Sequence, residues 1–280
     1  MTKIKLAFQG EKGAYSHIAC EEIFKGADIK NCKTFEETFK TVFDDESYKA
    51  IIPIENSLAG RVADIHYLLP KFKLQIYTEH YQVVEHCLLV KKETELRDIK
   101  YVRSHAQAIG QCQEIIKKNN FKSIISADTA GSAKDLAESN DKSVAAIASE
   151  LAAKTYGLKI LKKNIEDEAG NVTRFLVMGK NVIQPEYDKN KKYITTCIFR
   201  LKSEASALYK SLGGFATNQI NLTKLESFSV KNSFEQVNFY LDFEGHIGQK
   251  PVQKSLEELG FHTQSLDILG VYEASAFRQK

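Results

Sequence analysis

Past residue 192 the sequence admits few folds. Its residues read as a strand at 193–202, a helix at 205–216, strands at 221–228 and 236–243, a helix at 250–259 and a strand at 265–272. The order βαββαβ in so short a stretch predicts a ferredoxin-like sheet covered by two helices. Many unrelated functions use that arrangement, so it does not by itself name one. Four-stranded sheets of this kind often pair across an edge or a face, and a dimer is expected.

A polar, lysine-rich stretch at 181–192, with Pro185, reads as a linker before it. Upstream, short apolar runs at 4–8, 50–54, 74–77, 87–90, 101–103, 123–126 and 144–147 alternate with helical patterns at 16–24, 106–117, 130–138 and 149–156. That alternation predicts mainly parallel sheets covered by helices. Ligands of such sheets sit beyond the carboxyl ends of strands, where polar turns and helix starts gather. The turns at Asn56-Ser57, Ser104-His105 and Asp128-Thr129, and the loop into Thr173, fall at such places.

Charge excludes some functions. The chain has 280 residues with 39 basic against 36 acidic side chains, a balance too even for a nucleic-acid or membrane-surface binder. Residues 1–10 lack the apolar stretch of a signal peptide, and no segment has the length of a membrane span, so a cytoplasmic protein is expected. The five cysteines are scattered and show no C-x-x-C spacing, which predicts reduced buried thiols rather than disulfides or zinc. No metal and no cofactor is expected.

Four segments carry side chains suited to chemistry. Gly10-Glu11-Lys12-Gly13-Ala14-Tyr15-Ser16 follows a strand and fits an anion cradle or a tight turn with Ser16 as helix cap. Asn56 and Ser57 end a strand and fit either carboxylate donors or a cap before Leu58. His105, with Ser104 and Gln107 around it, opens a helix and fits a general base or a structural cap. Asn171-Val172-Thr173-Arg174-Phe175 is the densest signal. An arginine at the mouth of an apolar strand has to be paired, either with an acid such as Glu168 or with a substrate carboxylate.

Taken in order, several segments resemble prephenate dehydratases followed by an ACT regulatory domain. They are Phe8-Gln9-Gly10 through Tyr15-Ser16, Pro53-Ile54-Glu55-Asn56-Ser57-Leu58-Ala59-Gly60, Ser104-His105-Ala106-Gln107-Ala108, Asp128-Thr129-Ala130, Ala145-Ala146-Ile147-Ala148-Ser149 and Thr173-Arg174-Phe175. Asn221-Leu222-Thr223-Lys224-Leu225-Glu226-Ser227 and Asp242-Phe243-Glu244-Gly245-His246 continue the match. The resemblance implies an α/β protein: a two-subdomain, periplasmic-binding-protein-like catalytic region at 1–180 and a βαββαβ ferredoxin-like ACT domain at 193–280. In that arrangement the Thr173 strand returns to the first subdomain.

The implied activity is decarboxylative dehydration of prephenate to phenylpyruvate, on the route to phenylalanine. Thr173 would then assist the departing hydroxyl, Arg174 would hold a carboxylate and Phe175 would line the ring pocket. Asn56, Ser57, Ser104, His105, Gln107 and Thr129 would bind substrate. Ala207, Leu208, Asn221, Leu222, Thr223 and Glu226 would meet an effector, phenylalanine, in a homodimer or homotetramer. The chain departs from the family pattern in that half: Glu226-Ser227-Phe228-Ser229 stands where Glu-Ser-Arg-Pro is common, and Ser206 where glycine is common. Two other readings are an arogenate dehydratase, doing the same chemistry on the aminated substrate, and a non-catalytic amino-acid sensor.

Overall fold

The computed structural model describes residues 3–229 and 236–279. Contact density divides the chain into two compact units. One comprises Met1–Thr41, Ala50–Val62 and His80–Phe175, the other Val42–Lys49, Ala63–Glu79 and Leu176–Lys280.

The chain begins with β1 (Lys5–Gln9), α1 (Tyr15–Ile23), β2 (Asp28–Cys32), α2 (Phe35–Asp44), β3 (Tyr48–Asn56) and β4 (Gly60–Arg61). Short helices α3 (Ala63–His66) and α4 (Leu68–Phe72) lead to the long β5 (Gln75–Val83). Next come β6 (Cys87–Val90), β7 (Tyr101–His105), α5 (Ala106–Gly110), α6 (Gln113–Lys118), β8 (Lys122–Ser126), α7 (Thr129–Glu138), β9 (Val144–Ala148), α8 (Glu150–Tyr156) and β10 (Lys159–Lys162). After these, β11 (Val172–Gly179) enters the first sheet, whose order is β2-β1-β3-β11-β5 with β4 on β3. The return of the Thr173 strand to the first subdomain is thus present.

The second sheet runs β10-β6-β9-β7-β8. It is less parallel than the alternation suggests. β7 pairs parallel with β8 and β9, whereas β6 is antiparallel to both its neighbours, so β6 alone opposes the other four strands. Every residue of β9 is buried, as expected of a strand covered on both faces. Ala145 and Ile147 pack among Leu88, Val102 and Ile109, while Val144, Ala146 and Ala148 face Ala133, Leu136 and Ala152.

The Gly10–Ser16 turn serves packing. Gly13 has φ +90°, and a Cβ on it would lie 2.6 Å from Ala152 Cα, at the start of α8. Ser149, which caps α8, donates its hydroxyl to the Gly13 carbonyl at 2.6 Å. Helix α1 begins at Tyr15 with Ala14 as its N-cap, so Ser16 is not the cap. Gly13→Ala combines a left-handed φ with a backbone clash and is expected to cost about 2 kcal/mol. A denaturant melt of the variant against the parent measures it.

The last six elements are β12 (Tyr193–Leu201), α9 (Ala207–Thr217), β13 (Leu222–Ser229), β14 (Val237–Glu244), α10 (Lys250–Phe261) and β15 (Thr263–Glu273). Their antiparallel sheet, β13-β14-β12-β15, is the ferredoxin-like order expected. Phe199, Phe215, Phe243, Val252 and Leu259 fill the core between sheet and helices. The stretch before it forms no helix or strand but is tied down. Tyr193 donates its hydroxyl to the Glu186 carbonyl, and His246 Nε2 lies 2.8 Å from the Pro185 carbonyl.

Candidate active site

Thr173 and Asn56 sit side by side on neighbouring strands β11 and β3. Asn56 Oδ1 accepts the backbone N–H groups of Leu58 and Ala59 at 3.0 and 2.9 Å. That asparagine turn decides which end of the amide is oxygen, so Nδ2 must face the other way. There it donates to Asn171 Oδ1 at 2.7 Å and to Thr173 Oγ1 at 2.9 Å. Thr173 is thereby an acceptor towards Asn56, and its own proton has no acceptor among the described residues. A half-buried hydroxyl with a lone pair occupied and its proton unspent is a ready hydrogen-bond donor.

Ser57 reinforces this corner through its backbone. Its N–H donates to the Val172 carbonyl at 2.8 Å, and its hydroxyl accepts the Val172 N–H at 2.9 Å. The Ser57 N–H, at a turn expected to offer donors to a carboxylate, is therefore spent inside the protein, as are those of Leu58 and Ala59.

Arg174 is placed differently from the expectation. Successive strand residues face opposite sides of a sheet, so Arg174 points away from the side of Thr173. It is 2% exposed, and its Nη1 lies 3.1 Å from Glu55 Oε1. The acid that pairs with it is thus Glu55 on β3, not Glu168. Phe175, back on the Thr173 side, is buried.

Ser104, His105, Gln107 and Thr129 lie at the carboxyl edge of the second sheet, as the turn positions implied. Ser104 is fully buried, and its hydroxyl donates to the Ile147 carbonyl at 2.6 Å, so its role is to hold β7 against β9. His105 caps α5, with Nδ1 accepting the Gln107 N–H at 3.3 Å. Gln107 is exposed, and Thr129 is half-buried as the first residue of α7, which Asp128 caps through the Gly131 N–H. No hydrogen bond among the described residues joins these four to Thr173.

Other side chains join this corner, of which His86 and Gln111 were not singled out by the sequence. Asn171 is 2% exposed and passes the Asn56 contact on, its Nδ2 donating to Gln111 Oε1 at 3.1 Å. The same oxygen lies 2.9 Å from His86 Nε2, and His86 Nδ1 lies 2.9 Å from the Tyr15 hydroxyl. Burial pushes the His86 pKa below its ordinary value, leaving the ring neutral at pH 7, and burial pushes the Tyr15 phenol well up. Asn171 belongs to the segment that the sequence singled out, and lies just before β11, two residues ahead of Thr173. His86 and Gln111 have no such local signal.

A cavity of about 210 Å³ opens beside Gln111 and Asn171, with Glu166, Asp167 and Glu168 on its wall. Three carboxylates make it a poor seat for a dianion. Among the described residues no group of three or more His, Cys, Asp or Glu is placed to hold a metal, and no helix is long and apolar enough to cross a membrane.

The expected effector residues are split. Ala207 is buried at the start of α9, Leu208 and Leu222 are half-buried, and Asn221 and Thr223 are exposed. Glu226 is engaged inward, 2.6 Å from Lys224 Nζ and 3.0 Å from His66 Nε2. Burial raises its pKa, but the hydrogen bonds from His66 and Lys224 outweigh that and bring it to about 2. Phe228 packs on the His66 ring at 5.3 Å, and Ser206 has a φ of 62°, a conformation that suits glycine.

With this geometry in hand, known proteins can be compared. The family model described as prephenate dehydratase matches residues 6–182. A bifunctional N-acyl-homoserine lactone acylase/prephenate dehydratase of Komagataeibacter europaeus is 42% identical over 98% of both chains. An arogenate dehydratase/prephenate dehydratase of Arabidopsis thaliana is 36% identical, over 97% of this chain and 73% of its own. The crystal structure of a prephenate dehydratase from Arthrobacter aurescens in complex with L-Phe superposes with a TM-score of 0.89 at 28% identity, covering 99% of this chain and 91% of that one. Family match, identity and fold agree, and the chain belongs to the prephenate dehydratase family.

Proposed function

We propose that the protein converts prephenate to phenylpyruvate, carbon dioxide and water in phenylalanine biosynthesis. The observation that carries this reading is the Thr173 hydroxyl, held as an acceptor by Asn56 and left with a proton to give. In prephenate the bond from the ring carbon to its carboxylate breaks, and the electron pair enters the ring. The ring hydroxyl then leaves from the opposite carbon as the ring becomes aromatic. A proton delivered to that oxygen makes it water, and the threonine recovers its proton from solvent. Aromatisation supplies the driving force, so the protein has mainly to orient the substrate and assist the leaving oxygen.

Arg174 is assigned to the fold, because Glu55 holds it on the other side of the sheet. Carboxylate recognition falls to His105, Gln107 and Thr129, whose polar atoms remain accessible at the sheet edge. Residues 1–180 form the catalytic region and 193–280 an ACT regulatory domain in this reading, in a cytoplasmic homo-oligomer. The L-Phe complex of the Arthrobacter relative supports phenylalanine as effector. Leu208, Asn221, Leu222 and Thr223 remain at least partly exposed for it, whereas Ala207 is buried and Glu226 faces His66 and Lys224. The dual name of the Arabidopsis relative supports arogenate as a second substrate.

Following phenylpyruvate formation from prephenate, with and without phenylalanine, tests both halves. Turnover reduced by phenylalanine is expected. Absence of turnover by folded protein removes the enzyme reading, and turnover indifferent to phenylalanine removes the effector.

A further inference from the structure

We infer that His66 couples the effector strand β13 to the β3–β4 hairpin that holds Thr173, and so carries the regulation of the site. The inference deepens the effector reading and rests on it for its kinetic consequence. Alternation along β13 puts Lys224, Glu226 and Phe228 on one face of the strand. Helix α3 lies against that face. The His66 ring, 1% exposed, sits 5.3 Å from Phe228 and 5.7 Å from Tyr240, the residue opposite Glu226 in the sheet. Its Nε2 is 3.0 Å from Glu226 Oε2, and Lys224 Nζ takes the other oxygen of the same carboxylate at 2.6 Å. Phe228, which stands where the family pattern commonly has arginine, also meets the Tyr67 ring edge-on at 6.3 Å.

The same helix continues directly from the catalytic corner. In the hairpin, Asn56 pairs with Gly60 and Glu55 with Arg61, and the Val62 N–H donates to the Ile54 carbonyl at 3.2 Å. Helix α3 begins at the next residue, Ala63, and ends at His66. One short helix therefore joins the buried ring to the hairpin whose Asn56 sets Thr173 as acceptor. An effector bound at Leu222 and Thr223 acts on the strand that carries Glu226 and Phe228. A shift of that strand cannot be absorbed at His66, because a ring packed between a carboxylate and two aromatic side chains has no slack. The displacement passes along α3 into the hairpin and alters the aim of the threonine proton. His66 is accordingly a residue of inhibition rather than of basal turnover, and its worth is a coupling between two sites.

The test combines inhibition kinetics with hydrogen–deuterium exchange of the full chain. His66→Leu keeps apolar volume but drops the Nε2 contact. It is expected to hold kcat on prephenate within about twofold and to raise the phenylalanine inhibition constant at least about tenfold. Calorimetry without prephenate should show that this variant still binds phenylalanine, within about fivefold of the parent. His66→Gln, whose amide reaches towards Glu226 from the same place, is expected to keep the inhibition constant within about threefold. Thermal melts establish that the variants are folded. A folded His66→Leu variant inhibited like the parent overturns the inference, as does a Gln variant no better than Leu. Loss of phenylalanine binding along with inhibition also overturns it, because His66 would then belong to the effector site. A third variant needs no effector: Phe228→Leu is expected to speed amide exchange across residues 56–66 at least about threefold, and unchanged exchange there contradicts the coupling. If His66→Leu fails to fold, the Gln variant and the exchange still decide. If phenylalanine does not inhibit the parent, the effector reading fails, while the exchange judges the coupling by itself.

Discussion

Thr173→Ala is expected to lower kcat on prephenate by about a hundredfold to ten-thousandfold, the range attached to losing a positioned proton donor. KM should change little, because the hydroxyl acts mainly as the leaving oxygen departs. The melting curve should remain close to the parent's, since Thr173 is half-buried and the only hydrogen bond of its side chain among the described residues comes from Asn56. Thr173→Ser, which keeps the hydroxyl, should retain most of the activity. The paired kinetics of the two variants check the point, and a folded alanine variant with full turnover would remove Thr173 from the chemistry.

Arg174→Met carries the largest expected effect on stability. It removes a guanidinium that is 1% exposed in its side chain and leaves Glu55, 33% exposed, without that cation. Breaking a buried pair from one side costs about 3–5 kcal/mol, and the partial exposure of Glu55 places this case near about 3 kcal/mol. The double variant with Glu55→Gln should recover part of the loss, because the charge that faced Arg174 is gone. Urea unfolding of the single and double variants reads the difference. An Arg174 that gripped substrate would behave otherwise: KM would rise steeply while stability held.

The two residues show what the sequence could convey. That Arg174 had to be paired was legible from a cation at the mouth of an apolar strand. Its partner was not, because Glu55 becomes a neighbour only through the adjacency of β3 and β11 across a separation of 119 residues. Glu168, near in sequence, was the natural and mistaken expectation. The helix read at 106–117 shows the same limit. It is two helices, since Asp167 accepts the N–H groups of Gln113 and Glu114 and starts a new one there. Gln111, at that break, is what turns towards His86 and Asn171.

Other gaps have local causes. Helix α2 was missed although its start was written in Thr34 and Glu37. Thr34 accepts the Glu37 N–H, and the Glu37 carboxylate accepts the Lys33 N–H, close to a capping box. Strand β2, Asp-Ile-Lys-Asn-Cys, lies at a sheet edge and is largely exposed, so its pattern is too polar to announce a strand. The ferredoxin-like order, by contrast, was legible, because its strands carry apolar runs and each helix has a buried stripe.

kcat/KM of the purified protein on prephenate and on arogenate, measured side by side, decides whether it is a prephenate dehydratase. Phenylpyruvate formed from prephenate with the higher efficiency of the two is the expected result. Equal or greater efficiency on arogenate, or no phenylpyruvate from folded protein, would contradict it.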